Sequence, residues 1–371
     1  MMNRALKSVL CLFVSVCVPV IAFSGTSREE LSEIRVGRNG HFRYWKSDSP
    51  TIKALKSFVA DVTDRKSDSF VPVADRVAVF DVDGTLLCET APTYFNFMAF
   101  CYRYLHDDTY SVSDDDRAYA GEIENYIYAN RSISSDWGER QMEMQARAFY
   151  GMTQEEFSEW VSGFMNSQYV DGLTDLKWGS ALYWPMIEVV SYLVANGFRV
   201  FICSGCDRDM CRVICKDVFD VPSYMIIGTD VDWVLESRSR EGFTTEMTVA
   251  EGYRYVPGER IGRGASRQLN TAHNKIASIV RQIGRKPILA WGNSSGDYPM
   301  FHYTTMDNSY PSIAFCILCD DTVREFGNEK KAESCRESCG RYGWRPVSMR
   351  DEWKTIYGPG VVRADMMPHE R

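Results

Sequence analysis

The run Val77-Ala78-Val79-Phe80, followed by Asp81-Val82-Asp83-Gly84-Thr85, constrains the fold more than any other stretch of the chain. Four consecutive apolar residues read as a strand buried on both faces, as in a parallel sheet. At its carboxyl end come two carboxylates two residues apart, then Gly, then Thr. Strand residues alternate faces, so Asp81 and Asp83 share a site only where the chain turns, and Gly84 supplies the turn. In open parallel α/β sheets, ligands bind beyond the carboxyl ends of the strands. There Asp81 can attack phosphorus and become an aspartyl-phosphate. Asp83 can protonate the leaving oxygen and later deprotonate water. A hard divalent cation, Mg²⁺ before others, would relieve the repulsion between carboxylates and phosphate.

The aspartate pair resembles the first motif, DxDGT, of the haloacid dehalogenase superfamily in its phosphatase branch. Three further stretches resemble the motifs that follow it there. Phe198 to Ile202 reads as a strand ending in Cys203-Ser204-Gly205, and a hydroxyl followed by Gly can offer Oγ and N–H groups to a phosphate. The resemblance gives Ser204, with Gly205, that phosphate-binding role. Lys275 opens an amphipathic helix (Ile276, Ile279, Val280, Ile283), where the family keeps a Lys to neutralise phosphate and nucleophile. The strand Pro287 to Trp291 runs into Gly292-Asn293-Ser294-Ser295-Gly296-Asp297, similar to the family's GDxxxD. Asn293 replaces the first acid; it still offers an oxygen to Mg²⁺ but no charge. The resemblance spans residues 77–320 and is closest to phosphoserine-phosphatase-like members. It implies a doubly wound, mainly parallel α/β sheet with a helical cap inserted after the first motif. It implies metal ligation by Asp81, the main-chain carbonyl of Asp83, Asn293 and, directly or through water, Asp297. A proton-donating Asp83 argues against dehalogenase chemistry, which has no leaving oxygen to protonate.

The expected organisation places a signal peptide at 1–24, an N-terminal extension packing on the core at 25–75, the core at 76–89 and 179–371, and the cap at 90–178. The leader rests on Arg4 and Lys7, an apolar run from Val9 to Phe23, and small residues at Ala22 and Ser24. That run is shorter than the roughly 20 residues of a spanning helix, so cleavage, export (periplasmic or secreted) and no stable membrane insertion are expected. The formal charge of −8 becomes −10 without the leader, a poor balance for nonspecific nucleic-acid binding. In the cap stretch, Thr153-Gln154-Glu155-Glu156 forms a capping box ahead of Phe157, Trp160, Val161 and Phe164. Glu89, Arg140 and Arg147 are candidates to face substrate. Residues Thr229 to Arg267 read as a β-hairpin excursion built on Met247, Val249, Tyr253 and Tyr255, and Ser312 to Leu318 as a last strand.

Ten cysteines follow the leader, an even number that suggests disulfides in an exported chain, with buried thiols as the other reading. Cys203/Cys206 and Cys316/Cys319 have CxxC spacing, but no His stands near to complete a zinc site. Neither pair opens a helix in a thioredoxin-like context, which argues against a thiol-redox protein. The expected function is a Mg²⁺-dependent phosphomonoester phosphatase acting on a small phosphorylated metabolite outside the cytoplasm. The alternative, favoured by Asn293, is a catalytically weak protein of the same fold that binds through its cap.

Overall fold

The computed structural model of the protein describes residues 27–235, 240–241 and 257–365. The expected leader, and Met247, Val249, Tyr253 and Tyr255 of the expected hairpin, lie outside them. Among the described residues no helix is long and apolar enough to cross a membrane.

Two helices, α1 (Arg28–Ser32) and α2 (Pro50–Thr63), precede strand β1 (Val77–Phe80). Helix α2 has Ser49 as its N-cap and Pro50 in its first turn, and buries Leu55, Val59 and Val62. The segment before it is fixed to the core as well: Trp45 stacks edge-on against Trp353, and the Arg43 and Tyr44 N–H groups donate to the fully buried Glu188.

Four helices follow β1: α3 (Phe95–Leu105), α4 (Asp114–Asn130), α5 (Gly138–Arg147) and α6 (Gln154–Ser167). They form an aromatic-rich insert. Helix α6 begins with the capping box, Thr153 and Glu156 each accepting from the other's main chain. The chain then returns through α7 (Trp184–Ala195), β2 (Arg199–Asp207), α8 (Arg208–Cys215), β3 (Ile226–Leu235), β4 (Arg240–Glu241) and β5 (Ile261–Gln268). Last come α9 (His273–Gln282), β6 (Leu289–Gly292), α10 (Tyr298–Thr305), β7 (Ile313–Leu318), α11 (Glu329–Tyr342), β8 (Arg345–Ser348) and α12 (Met349–Glu352).

The sheet has the order β4-β3-β2-β1-β6-β7-β8, with β5 also on β3. All pairs from β3 to β8 along this path are parallel; β4 and β5 add to β3 antiparallel. Strand order reverses between β1 and β6, which pair side by side. Such a reversal opens a crevice at the carboxyl ends of the two strands. The all-buried β1 and β6 fit strands covered by helices on both faces.

Two details differ from the sequence reading, and one that it left open is decided. Strand β2 runs on to Asp207 with a register shift between Cys203 and Asp207, so Ser204 and Gly205 sit in an irregular stretch and not past a strand end. Strand β7 is not the last, because β8 pairs beyond it. All ten described cysteines are buried and none of them forms a disulfide, so of the two open readings the structure has buried thiols.

Candidate active site

Asp81 and Asp83 follow β1, and Asn293 follows β6, so the reversal of strand order brings them to one place. The Asp81 N–H donates to the Trp291 carbonyl at 3.0 Å, locking the two strand ends in register. Lys275, in the first turn of α9 and 3% exposed, reaches this point from the side. Its Nζ donates to Asp81 Oδ1 at 2.7 Å and to Asp297 Oδ1 at 2.6 Å. The other oxygen of Asp297 accepts from the main-chain N–H groups of Asn293 and Ser294 at 3.0 and 3.1 Å, and from Ser294 Oγ. Asp297 thus holds the Asn293 loop and orients Lys275, with both of its oxygens engaged. Gly292 permits this, since a Cβ there would come within 2.5 Å of the Asp297 carboxyl carbon.

Burial, then Asp297, push the Asp81 carboxyl up to about 6 against the pull of Lys275. Burial lowers the Lys275 ammonium, but Asp297 and Asp81 outweigh it and hold the lysine charged. Asp83 is pushed up to about 8, first by burial and then by Asp81, while the Phe95 N–H favours its charged form. That N–H, at the start of α3, donates to Asp83 Oδ1 at 3.2 Å. The second carboxylate of the pair therefore also anchors the first helix of the insert.

Gly84 has φ +71°, and a Cβ there would fall 1.9 Å from Asn293 Nδ2 and 2.4 Å from Glu89 Cδ. The turn after the aspartates admits no side chain, because Asn293 and Glu89 pack directly over it. Glu89 is buried and pairs with Lys331 from α11. On the other side, buried Ser204 accepts at Oγ from the Cys206 N–H at 3.1 Å, and its carbonyl accepts from Asn270 Nδ2 at 2.9 Å.

Asp81, Asp83, Ser204, Gly205, Lys275, Asn293 and Asp297 all line one cavity of about 740 Å³, roofed by the insert. This volume falls within the roughly 300–1,000 Å³ of small-molecule sites. The structure turns Arg140 and Arg147 elsewhere. Arg140 and Arg147 lie on the outer face of α5, where Asp115 and Asp116 take their guanidinium groups. Glu89 gives Oε1 to Lys331, while its buried Oε2 has no hydrogen-bond partner among the described residues and packs over the Gly84 turn. Sequence reasoning missed Lys331, Asn270, Gln141 and Gln145. A lone Lys, Asn or Gln in a polar stretch carries no periodic signal, and only the tertiary fold brings Lys331, Gln141 and Gln145 to the cavity lining and Asn270 to the Ser204 carbonyl.

A family model described as haloacid dehalogenase-like hydrolase matches residues 78–302. Among solved structures the chain is similar to a conserved protein of unknown function from Anaerococcus prevotii DSM 20548, at 11% identity and TM-score 0.49, over 82% of this chain and 93% of that one. It is similar to a cytosolic 5′-nucleotidase IIIB bound to cytidine, at 12% identity and TM-score 0.45, over 83% and 87%. It is also similar to a phosphoserine phosphohydrolase-like protein from Francisella tularensis subsp. tularensis SCHU S4, at 13% identity and TM-score 0.36, over 66% and 87%. No curated protein matches it.

Proposed function

Because the chain belongs to the haloacid dehalogenase-like hydrolase family, we propose that it is a phosphomonoester phosphatase working through an aspartyl-phosphate on Asp81. One observation carries this reading: Lys275 bridges Asp81 and Asp297 in a cavity that Asp83 and Ser204 also line. In the first step Asp81 attacks phosphorus, the P–O ester bond breaks, and Asp83 gives its proton to the leaving alcohol. Its raised affinity for a proton suits it to hold one at neutral pH. In the second step Asp83 takes a proton from water, which attacks the phosphoryl group and frees Asp81 and inorganic phosphate. Lys275 and Ser204 receive the equatorial oxygens.

The donor set fits Mg²⁺, which prefers oxygen ligands and tolerates few carboxylates. Asp81 has one oxygen on Lys275 and the other to offer. Asn293 is 3% exposed, and its Nδ2 has no hydrogen-bond partner among the described residues. A half-turn of the amide brings its oxygen to that position. Asp81, the Asp83 main-chain carbonyl and Asn293 would hold the ion, with Asp297 acting through water because its own oxygens are engaged. Bound there, Mg²⁺ would neutralise the phosphate facing two carboxylates. The helices of the insert would serve as a cap that shields this chemistry from water.

A panel of phosphomonoesters with and without Mg²⁺ tests the reading. Turnover should require the metal, and Asp83→Asn should slow alkyl phosphates more than aryl phosphates, whose leaving groups need the acid less. Equal losses for both would remove Asp83 as the acid. The absence of turnover across the panel would favour the second reading, a binding protein of the same fold, to which the uncharged Asn293 points. Export is also part of the proposal: the mature chain should begin near Gly25, and N-terminal sequencing that finds Met1 intact on membrane-bound protein would overturn it.

A further inference from the structure

Three thiols meet behind the Asn293 loop. Cys316 lies on β7 in register with Gly292, the residue before Asn293. Cys335 and Cys339 come to it from α11, four residues apart and so on one face of the helix. All three belong to one buried cluster, and Cys316 shares side-chain hydrogen bonds with Cys335 and with Cys339. The CxxC neighbour of Cys316 is turned elsewhere: the Cys319 thiol donates to the Asn328 carbonyl at 3.6 Å.

Cys335 differs from the other two in its surroundings. It lines the aspartate cavity, together with Lys331 and Ser334 of the same helix, whereas Cys316 and Cys339 do not. Its thiol also donates to the Asn293 carbonyl at 3.6 Å. Cys335 is 3% exposed, so only a reagent of a few atoms can reach it, and such a reagent meets Cys335 before its partners. A change at this sulfur acts directly on the loop that carries Asn293 and Asp297.

We propose that Cys335 is a site of oxidation by hydrogen peroxide and that its oxidation closes a disulfide to Cys316, which weakens the active site behind which the pair lies. Peroxide is little larger than water. Its O–O bond breaks as the Cys335 sulfur takes one oxygen, giving a sulfenic acid, and the thiol proton leaves with the other oxygen as water. The Cys316 sulfur then attacks the Cys335 sulfur, the S–O bond breaks, and the Cys316 proton leaves with that oxygen as a second water. Two thiols lose two electrons and one peroxide gains them. The bridged sulfurs stand about 2.0 Å apart, and Cys335 no longer has a hydrogen to give the Asn293 carbonyl. The oxidation stands apart from the phosphatase reading; its effect on turnover rests on that reading.

Peptide mapping without reduction tests the bridge. The full chain is treated with hydrogen peroxide, quenched with catalase and alkylated after unfolding. Exposed Met306, 56% accessible, marks the dose by its conversion to the sulfoxide. The Cys316–Cys335 cross-link should form before that conversion is complete. In Cys316→Ala, Cys335 should be captured as the sulfenic acid by a dimedone probe, and in Cys335→Ser, Cys316 should stay free. Met306 sulfoxide with both thiols still alkylated, or a bridge from Cys335 to Cys339 instead, would overturn the assignment; the wild-type map decides this even if a variant fails to fold. In the bridged protein, Mg²⁺ affinity by calorimetry and turnover of p-nitrophenyl phosphate should each fall about fivefold, the scale of one lost hydrogen bond, and dithiothreitol should restore both. A fully bridged protein with unchanged affinity and turnover would overturn the effect on the site. If the reduced protein hydrolyses no ester, the phosphatase reading fails, while the map and the Mg²⁺ titration still decide the bridge and its effect.

Discussion

Replacing Asp81 by Asn should abolish turnover, with a loss of at least about 10⁴-fold in kcat, the scale seen when a covalent nucleophile is removed. An amide cannot attack phosphorus, whatever its geometry. The fold should survive, because the amide oxygen can still accept from Lys275 and because Asp297 keeps its own contact with that lysine at 2.6 Å. The unfolding midpoint in urea should therefore stay close to that of the wild type, while phosphate release from any good substrate disappears. A variant with a tenth or more of the wild-type rate would exclude a covalent Asp81 intermediate.

Lys275→Met should have the largest effect on stability. Lys275 is the cation between two buried carboxylates, and removing one partner of a buried charge cluster costs about 3–5 kcal/mol. The loss should depend on pH with a definite sign. Asp81 sits at about 6 with the lysine present; without it, the two acids repel and bind a proton more tightly in the folded state than in the unfolded chain. The folded variant then takes up protons as pH falls, so its stability rises from neutral pH toward pH 4 relative to the wild type. Urea unfolding at pH 5 and pH 8, in chelator so that no cation takes the place of the lysine, reads this out. An equal difference at both values would show that Lys275 does not couple the carboxylates. Activity should be lost at both.

The parts of this site that a sequence displays are those tied to strand ends. Asp81, Asp83, Ser204, Lys275, Asn293 and Asp297 each follow an apolar run or open an amphipathic helix, so residue type and position agree. The elements that were not legible have no such signal. Helix α11 buries little beyond Ala332, Cys335 and Cys339, too few apolar residues to mark a face. Strand β8 is four residues long and contains Pro346, which reads as a turn until β7 is seen beside it. The cysteine count left disulfides and buried thiols both open, because evenness says nothing of geometry: nine of the ten lie in two buried clusters as small core residues. Gln141 and Gln145 stayed hidden because Gln is an ordinary helix residue, and only their place in the cavity lining sets them apart.

Arg263, on β5, lies in the polar excursion and had no assigned role. It is 2% exposed, forms ion pairs with Asp207 and Asp209 of the core, and stacks 3.8 Å over the Phe157 ring of α6. Its main chain joins the insert too, with its carbonyl accepting from Gly151 and its N–H donating to Met152. The insert is therefore held at points away from its two chain crossings as well: by this strand, by the main chain of Gly172 and Thr174 against Ala364 and Val362, and by Arg131 over the Phe326 ring. A two-point mounting swings like a door, whereas attachments off the line of those two points oppose the swing. Exposed Ile133 and half-buried Trp137 border the cavity at the edge of the insert, so a ligand passing there would not need the insert to swing.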